Sequence, residues 1–290
     1  VSLPPAPRRP RRLVFLGTPE PSVVPLRALV EAGHDVGLVV SQPDRRRGRG
    51  GRTSPSPVKQ AALDLGLAVT DTVDDALTVG ADLGVVVAFG RLIKPHVLAE
   101  LPMVNIHFSL LPRWRGAAPV ERAILAGDER TGVDLMVVEE GLDTGGIYDR
   151  AELPIGPDDT AAELRERLAR LGAELLVANL ARGLGEPVPQ QGEPTYAHKL
   201  DVADLEIDWS APAEMIHRLV RVGGAWTSHH RHRLKVWRTS LGRGGRDAVE
   251  VPAGDGAIWL VEVQPEGRRR MPAAAWANGL AGRVTDGLGR

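Results

Sequence analysis

Along the first half of the chain, short unbroken apolar runs alternate with stretches whose apolar residues recur every three or four positions. The runs are Arg12–Gly17 (RLVFLG), Asp35–Ser41 (DVGLVVS), Asp82–Ala88 (DLGVVVA), Met103–Phe108 (MVNIHF) and Val133–Val138 (VDLMVV). Apolar segments of this length, bounded by glycine and turn residues, predict strands buried on both faces. Helical spacing covers Val23–Ala32, Ser54–Leu65 (opened by SPSP) and a stretch around Pro95–Glu100. Strands alternating with helices predict βαβ units. The fold class is therefore α/β, a Rossmann-like, mainly parallel sheet with helices on both faces.

The clearest helix is Thr160–Leu184, which carries Leu164, Leu168, Leu171, Leu175 and Leu176 on one stripe. Asp158, Asp159 and Thr160 supply its start signals, and Gly183 and Gly185 its end. Beyond it the pattern changes. Gly185–Thr195 (GEPVPQQGEPT) has no periodicity and predicts a linker over residues 185–200. A helix at Ala211–Val222 then precedes short β-like pieces at Arg233–Arg238, Ala248–Pro252 and Ala257–Gln264, which predict a small barrel or sandwich. The domains read as 12–184 and 201–290. Residues 1–11 (VSLPPAPRRPR) read as a disordered leader; without a signal-type apolar stretch, a cytoplasmic location is expected.

Composition adds two constraints. The chain has no cysteine among its 290 residues, which removes disulfides, thiolate nucleophiles and Cys-ligated metals. Its net charge of −1 conceals an asymmetry: residues 1–214 hold 23 basic and 31 acidic side chains, residues 215–290 hold 13 and 6. A basic C-terminal part leaves room for a polyanionic partner that the total charge argues against.

Candidate chemistry gathers at three positions. Asn105 and His107 lie two apart in a strand, so their side chains leave the same face. The Pro- and Gly-broken Ser109–Pro119 (SLLPRWRGAAP) must be a loop at that strand's carboxyl end, where open α/β sheets place ligands. Asp143 lies in the turn Glu140–Gly146 (EGLDTGG) after the Val133–Val138 strand; if the two strands are neighbours, it reaches the same edge. A carboxylate beside an imidazole fixes its tautomer, and an Asn amide can donate to a developing oxyanion. With no cysteine and no serine elbow, the set suits direct acyl transfer to an amine. The plain alternatives are a hydrogen-bonded strand end and a turn-capping aspartate.

Other features are less specific. Arg45–Arg52 (RRRGRGGR) holds Arg45, Arg46, Arg47, Arg49 and Arg52 with no acid and no Walker pattern. At a ligand edge such a loop fits phosphate or RNA backbone, and otherwise it is a solvated charge run. His229, His230 and His232 with Arg231 read as a hairpin tip rather than a metal site, and no metal is expected. Trp209, Trp226, Trp237, Trp259 and Trp276 read as core of the small domain.

The Asn105–His107 pair, SLLPRWRGAAP and GLDTGG resemble the methionyl-tRNA formyltransferase family. The resemblance runs from about Arg12 to Met271 through LGTPEPSV, SQPDRRRGRG with SPSPVK, VVVAFGRLIKP, AGDERTG, LEIDWSAPAEMIHRLVR and VEVQPEG. It implies a formyltransferase fold with an OB-like C-terminal barrel that binds tRNA. It implies transfer of a formyl group from 10-formyl-tetrahydrofolate to the α-amino group of methionine on initiator methionyl-tRNA, by a monomer away from membranes. Asn105, His107 and Asp143 then become the catalytic trio. Phe89, Gly90, Arg91, Leu92 and Ile93, with Ser109, Leu110, Leu111 and Pro112, become the folate-binding surface, and the arginine loop enters the acceptor stem. The trio and the SLLP element are shared with sugar formyltransferases, so a sugar-nucleotide amine is the alternative acceptor; an RNA-binding protein without activity is a further one. The short Thr239–Asp247 departs from the family and predicts a barrel lacking one strand or a long turn.

Overall fold

In the computed structural model, which describes residues 3–46, 53–280, 284 and 287–289, the predicted strands of the first half meet in one seven-stranded sheet. The chain passes through β1 (Arg12–Gly17), α1 (Val23–Glu31), β2 (Asp35–Val40), β3 (Arg45–Arg46), β4 (Thr53–Ser54) and α2 (Pro57–Asp64). It continues through β5 (Val69–Thr70), β6 (Leu83–Val87), α3 (Pro95–Glu100), β7 (Met103–His107), β8 (Arg115–Gly116) and α4 (Pro119–Ala126). β9 (Arg130–Val137), β10 (Ile147–Pro154), α5 (Ala161–Arg182) and β11 (Tyr196–Ala197) follow. The sheet order is β10-β9-β7-β6-β1-β2-β5. The five strands β5, β2, β1, β6 and β7 are parallel, and β9 and β10 close one edge antiparallel.

Burial explains the strand pattern. Leu13, Val14, Phe15 and Leu16 of β1 are at most 1% exposed, as a central strand covered on both faces requires. Val97, Leu98 and Leu101 cluster with Met103, on the face of β7 that also carries Asn105 and His107. On the opposite face α5 approaches so closely that a Cβ on Gly172 would lie 2.6 Å from Ile106 Cγ2. Fully burying a leucine such as Leu164, Leu168 or Leu176 contributes about 1.5–3 kcal/mol, so α5 is anchored by its apolar stripe. Thr160 and Glu163 complete its start as a reciprocal cap: the Thr160 N–H donates to Glu163 Oε2 at 2.9 Å, and the Glu163 N–H to Thr160 Oγ1 at 3.3 Å.

Several expectations change. The leader is not disordered where described. Arg11 N–H donates to the Asp82 carboxylate at 2.9 Å, Leu184 N–H donates to Arg8 O at 2.9 Å, and Leu3 packs on the β1–β6 core. Its prolines hold the backbone extended, so docking costs little conformational entropy. Residues 185–200 are not a free linker either, because Val188 bridges Ile147 and β11 pairs with β8. α2 starts at Pro57, not Ser54, because Ser56 caps it by accepting from Lys59 N–H at 3.0 Å. Thr53 and Ser54 pair instead with Arg46 and Arg45. β10 escaped detection because IYDRAELP alternates half-buried with exposed residues and holds no apolar run.

Main-chain proximity divides the molecule into Val1–Pro119, Arg130–Pro154 and Arg165–Ala197 in one unit, and Val120–Glu129, Ile155–Leu164 and His198–Arg290 in the other. The second unit thus takes in two segments from inside the expected 12–184 domain. It contains α6 (Ala213–Val222), β12 (Trp226–His229), β13 (His232–Ser240), β14 (Val249–Ala253), β15 (Gly256–Pro265), β16 (Met271–Pro272) and α7 (Ala273–Asn278). These strands form a curled, antiparallel, OB-like five-stranded sheet, β12-β13-β15-β14 with β16 on β15. The compact Thr239–Asp247 therefore shortens the β13–β14 connection and leaves five strands paired.

His230 and Arg231 form the two-residue tip of the β12–β13 hairpin with φ of 47° and 66°, the positive values that match strand twist in such turns. Of the five tryptophans read as core, only Trp276 is fully buried. Trp226 lies under the Arg233 guanidinium at 4.1 Å and Trp237 under Arg270 at 3.3 Å. The alternation of β12 and of β13 puts these rings on the half-exposed face.

Candidate active site

Asn105 and His107 project from one face of β7, and Asp143 does come to His107. The Asp143 Oδ2 to His107 Nδ1 distance is 3.6 Å, with side chains 17% and 5% exposed. The route differs from the one the sequence suggested. β9 runs antiparallel to β7, with Val137 opposite Val104, so β9 ends at the amino end of β7. Asp143 reaches the far end because the turn after β9 folds back, with Asp143 itself at φ 50°. Val137 N–H donates to Gly146 O at 2.9 Å, closing the turn's base.

The loop after β7 completes the site. His107 Nε2 is 3.0 Å from Trp114 O. A carbonyl only accepts, so Nε2 carries a proton, and the nitrogen facing Asp143 is Nδ1. The tautomer is thus fixed by the Trp114 carbonyl, not by Asp143 as expected from sequence. At 3.6 Å the Asp143 contact is too long for a hydrogen bond and is purely electrostatic. The same Oδ2 accepts from Gly116 N–H at 2.7 Å. Gly116 is constrained twice: its φ is 119°, and a Cβ there would lie 3.0 Å from Ala197 O. Trp114 also sits at positive φ, 64°, held by Thr195 Oγ1 accepting from its N–H at 2.9 Å. The Asn105 side chain makes no hydrogen bond among the described residues, which leaves its amide free for an incoming oxygen.

The remaining sequence candidates divide. Phe89 is 2% exposed and its ring belongs to the core, while its carbonyl accepts from Thr18 Oγ1 at 3.0 Å and Gln42 Nε2 at 2.9 Å. Gly90 and Arg91 are exposed, Ile93 is half-buried, and Leu92 is 87% exposed. Ser109 and Leu111 point inward; the Ser109 hydroxyl donates to Arg113 O at 2.6 Å. These two shape the loop, and only Leu110 and Pro112 are partly open. Arg45 and Arg46 form β3 just after β2, whereas Arg47, Arg49 and Arg52 lie outside the described residues.

Two cavities lie on this unit, one at the carboxyl edge of the sheet and one reaching the amino end of β7. One, about 230 Å³, lies beyond the carboxyl ends of β1, β2 and β6 and is lined by Thr18, Gln42, Ala88, Phe89 and Gly90. The other, about 860 Å³, shares a wall with the Asp143 turn through Gly141 and Thr144, and also meets Arg115, Val138, Tyr148 and Leu3. Among the described residues no group of three or more His, Asp or Glu could hold a metal ion, and no helix is long and apolar enough to cross a membrane.

Sequence reasoning missed two supports of the site. Gln190, in the segment read as linker, donates to Asp143 O at 2.8 Å and Gly145 O at 2.9 Å and accepts from Arg115 Nη2 at 2.6 Å. Asp134, opposite His107 on β9, is fully buried and paired with Arg150 of β10. Burial raises the Asp134 carboxyl above its ordinary range, while hydrogen bonding to Asp134 raises Arg150. The guanidinium stays charged, and that makes a buried carboxylate tolerable. A charge inside the apolar run VDLMVV was the available signal for Asp134. Nothing local marked Gln190.

With this geometry in hand, comparison with known proteins is decisive. Residues 11–180 match the formyl transferase family and residues 199–281 its C-terminal domain. The chain belongs to the formyltransferase family. A methionyl-tRNA formyltransferase of Symbiobacterium thermophilum is 45% identical over 92% of this chain and 92% of its own length. One from Heliobacterium modesticaldum is 44% identical over 92% and 96%. The fold also matches the solved structure of a methionyl-tRNA formyltransferase from Clostridium thermocellum, with a TM-score of 0.62 and 18% identity over 88% of this chain and 98% of that one. Family membership and the relatives' 44–45% identity agree with the α/β sheet and curled C-terminal sheet seen here.

Proposed function

We propose that this chain transfers a formyl group from 10-formyl-tetrahydrofolate to the α-amino group of methionine on initiator methionyl-tRNA. The observation that carries the reading is the convergence of Asn105 and His107 from one strand with Asp143 from a folded-back turn, in a chain so similar to methionyl-tRNA formyltransferases over its length. The folate donor fits an edge where exposed Gly90, Arg91 and Leu92 stand beside an open cavity.

The attacking α-amine has a reference pKa of about 7.7–8.0, so near neutrality much of it must shed a proton before or during attack. The ammonium gives its first proton to solvent, and His107 takes the second from the attacking nitrogen on Nδ1, because Nε2 already donates to Trp114 O. The imidazolium then faces Asp143, whose carboxylate stabilises the charge across 3.6 Å. As the amine nitrogen bonds to the formyl carbon, the Asn105 amide donates to the oxygen that gains negative charge. His107 returns its proton to the donor nitrogen as the carbon–nitrogen bond to the donor breaks. Atoms and charge balance, and no covalent enzyme intermediate is needed. The basic stretch 215–290, with 13 basic and 6 acidic side chains, and the arginines at 45–52 supply contacts for a polyanionic acceptor.

The test is formyl transfer to charged initiator tRNA beside a sugar amine, at two salt concentrations. The tRNA is expected to be the acceptor, with turnover falling as salt rises because phosphate contacts release counterions. Asn105→Ala is expected to lose about 10²- to 10³-fold in rate. Transfer to the sugar alone, or near-native turnover by Asn105→Ala, overturns the reading.

A further inference from the structure

We propose that the ion pair of buried Asp134 with solvent-exposed Arg150 is a positioning device for the reaction, clamping the loop after β7 so that it meets His107 and the donor. The inference rests on the proposed reading of residues 109–112 as donor surface. Asp134 sits directly opposite His107 in the β7–β9 ladder and opposite Arg150 in the β9–β10 ladder. Cross-strand partners share a face, so the carboxylate lies beside the site. Arg150 grips both carboxylate oxygens, Nε to Oδ1 at 2.7 Å and Nη2 to Oδ2 at 2.7 Å.

The pair reaches beyond itself to one residue. Leu111 N–H donates to Asp134 Oδ2 at 2.8 Å, and Arg150 Nη2 donates to Leu111 O at 2.6 Å. Both main-chain groups of Leu111 are thereby fixed. From there the loop needs only a few residues to reach the chemistry. Arg113 N–H donates to Leu110 O at 3.1 Å, Trp114 O accepts from His107, and Gly116 N–H donates to Asp143. The clamp thus holds one end of a loop whose other end holds His107 and Asp143.

Stability alone does not explain a charge here. Val133, Leu135 and Met136, the neighbours of Asp134 on β9, are all at most 2% exposed and apolar. Asp134 is fully buried while its partner Arg150 is 38% exposed, so apolar replacement removes the cost of desolvating the carboxylate, and the pair is explained by what it positions. Only a guanidinium fork meets two carboxylate oxygens and a carbonyl from one planar group; a lysine at 150 offers a single point charge.

The deciding variant is Asp134→Val with Arg150→Met, which leaves no unpaired charge. It is expected to melt close to the parent, because relief of the desolvated carboxylate offsets the two bonds lost at Leu111. Hydrogen exchange is expected to quicken in residues 109–116 while the rest of the sheet keeps its protection. In the formyl-transfer assay kcat/KM should fall about ten- to a hundredfold, as small misplacements do, with the donor's KM rising and the tRNA's unchanged. A loss of folded protein alone lowers kcat and leaves both KM values in place. Should the double variant melt early, Arg150→Lys carries the same readouts, since it keeps a charge opposite Asp134 without the fork. Unchanged exchange overturns the clamp, and faster exchange with unchanged kinetics overturns its role in positioning. If the parent chain transfers no formyl group, the proposed reaction falls, while the exchange result still decides the clamp.

Discussion

Gln190→Leu isolates the contribution of the segment that crosses behind the Asp143 turn. The side chain donates to Asp143 O and Gly145 O and accepts from both Arg115 Nε, at 3.1 Å, and Nη2. Leucine keeps the bulk and removes every one of these bonds. A neutral hydrogen bond is worth about 0.5–1.5 kcal/mol net and one to a charged group about 1.5–3. The site is half-buried and water replaces part of the loss, so the sum is about 2–4 kcal/mol. The strain falls on Asp143, a non-glycine residue at φ 50° that loses its nearest brace. If all of it appears in the transition state, kcat/KM falls roughly thirty- to several-hundredfold, since about 1.4 kcal/mol is tenfold. The assay is steady-state formyl transfer beside Gln191→Leu, a neighbouring exposed position expected to stay within about twofold, as surface changes do. Equal activity of the two variants refutes the idea that Gln190 holds the turn.

Two further outcomes follow from packing and ionisation. Gly172→Ala places a methyl 2.6 Å from Ile106 Cγ2 and 3.3 Å from Val133 Cγ1, so α5 must shift outward. Overpacking of about 1–3 kcal/mol outweighs the ~1 kcal/mol gain in helix propensity, and a higher urea midpoint would contradict it. His217 is buried, accepts from Thr239 Oγ1 at Nδ1 (2.9 Å) and points Nε2 at Pro157 O (3.3 Å); burial lowers its pKa. The folded chain therefore prefers it neutral, and the unfolded chain takes the proton first. Stability from this group is complete above about pH 6.5 and declines as pH falls toward the lowered folded value. His217→Gln should flatten that part of a melting-temperature profile, and an unchanged profile excludes His217 as its source.

The core strands and main helices could be read along the chain because each is a local pattern. β1 spans the Arg12–Gly17 of its apolar run, and α3 covers Pro95–Glu100 as read. β10 and the four-residue β12 lacked such runs and were invisible. The leader and the residues around Gln190 were misjudged for one reason. Proline, glycine and glutamine give no periodicity, yet an extended segment can spend its polar groups on a neighbouring turn.

By itself the sequence determined the α/β alternation, the basic C-terminal part and the side chains available for acyl transfer. It did so because strand and helix periods, charge and residue chemistry are properties of neighbours along the chain. Tertiary structure alone decided that β9 runs antiparallel to β7 and that the Asp143 turn folds back to His107. It alone decided which imidazole nitrogen carries the proton and that Asp134 and Arg150 seize both main-chain groups of Leu111. Those outcomes depend on hydrogen bonds between residues far apart in sequence, whose partners exist only once the sheet has paired.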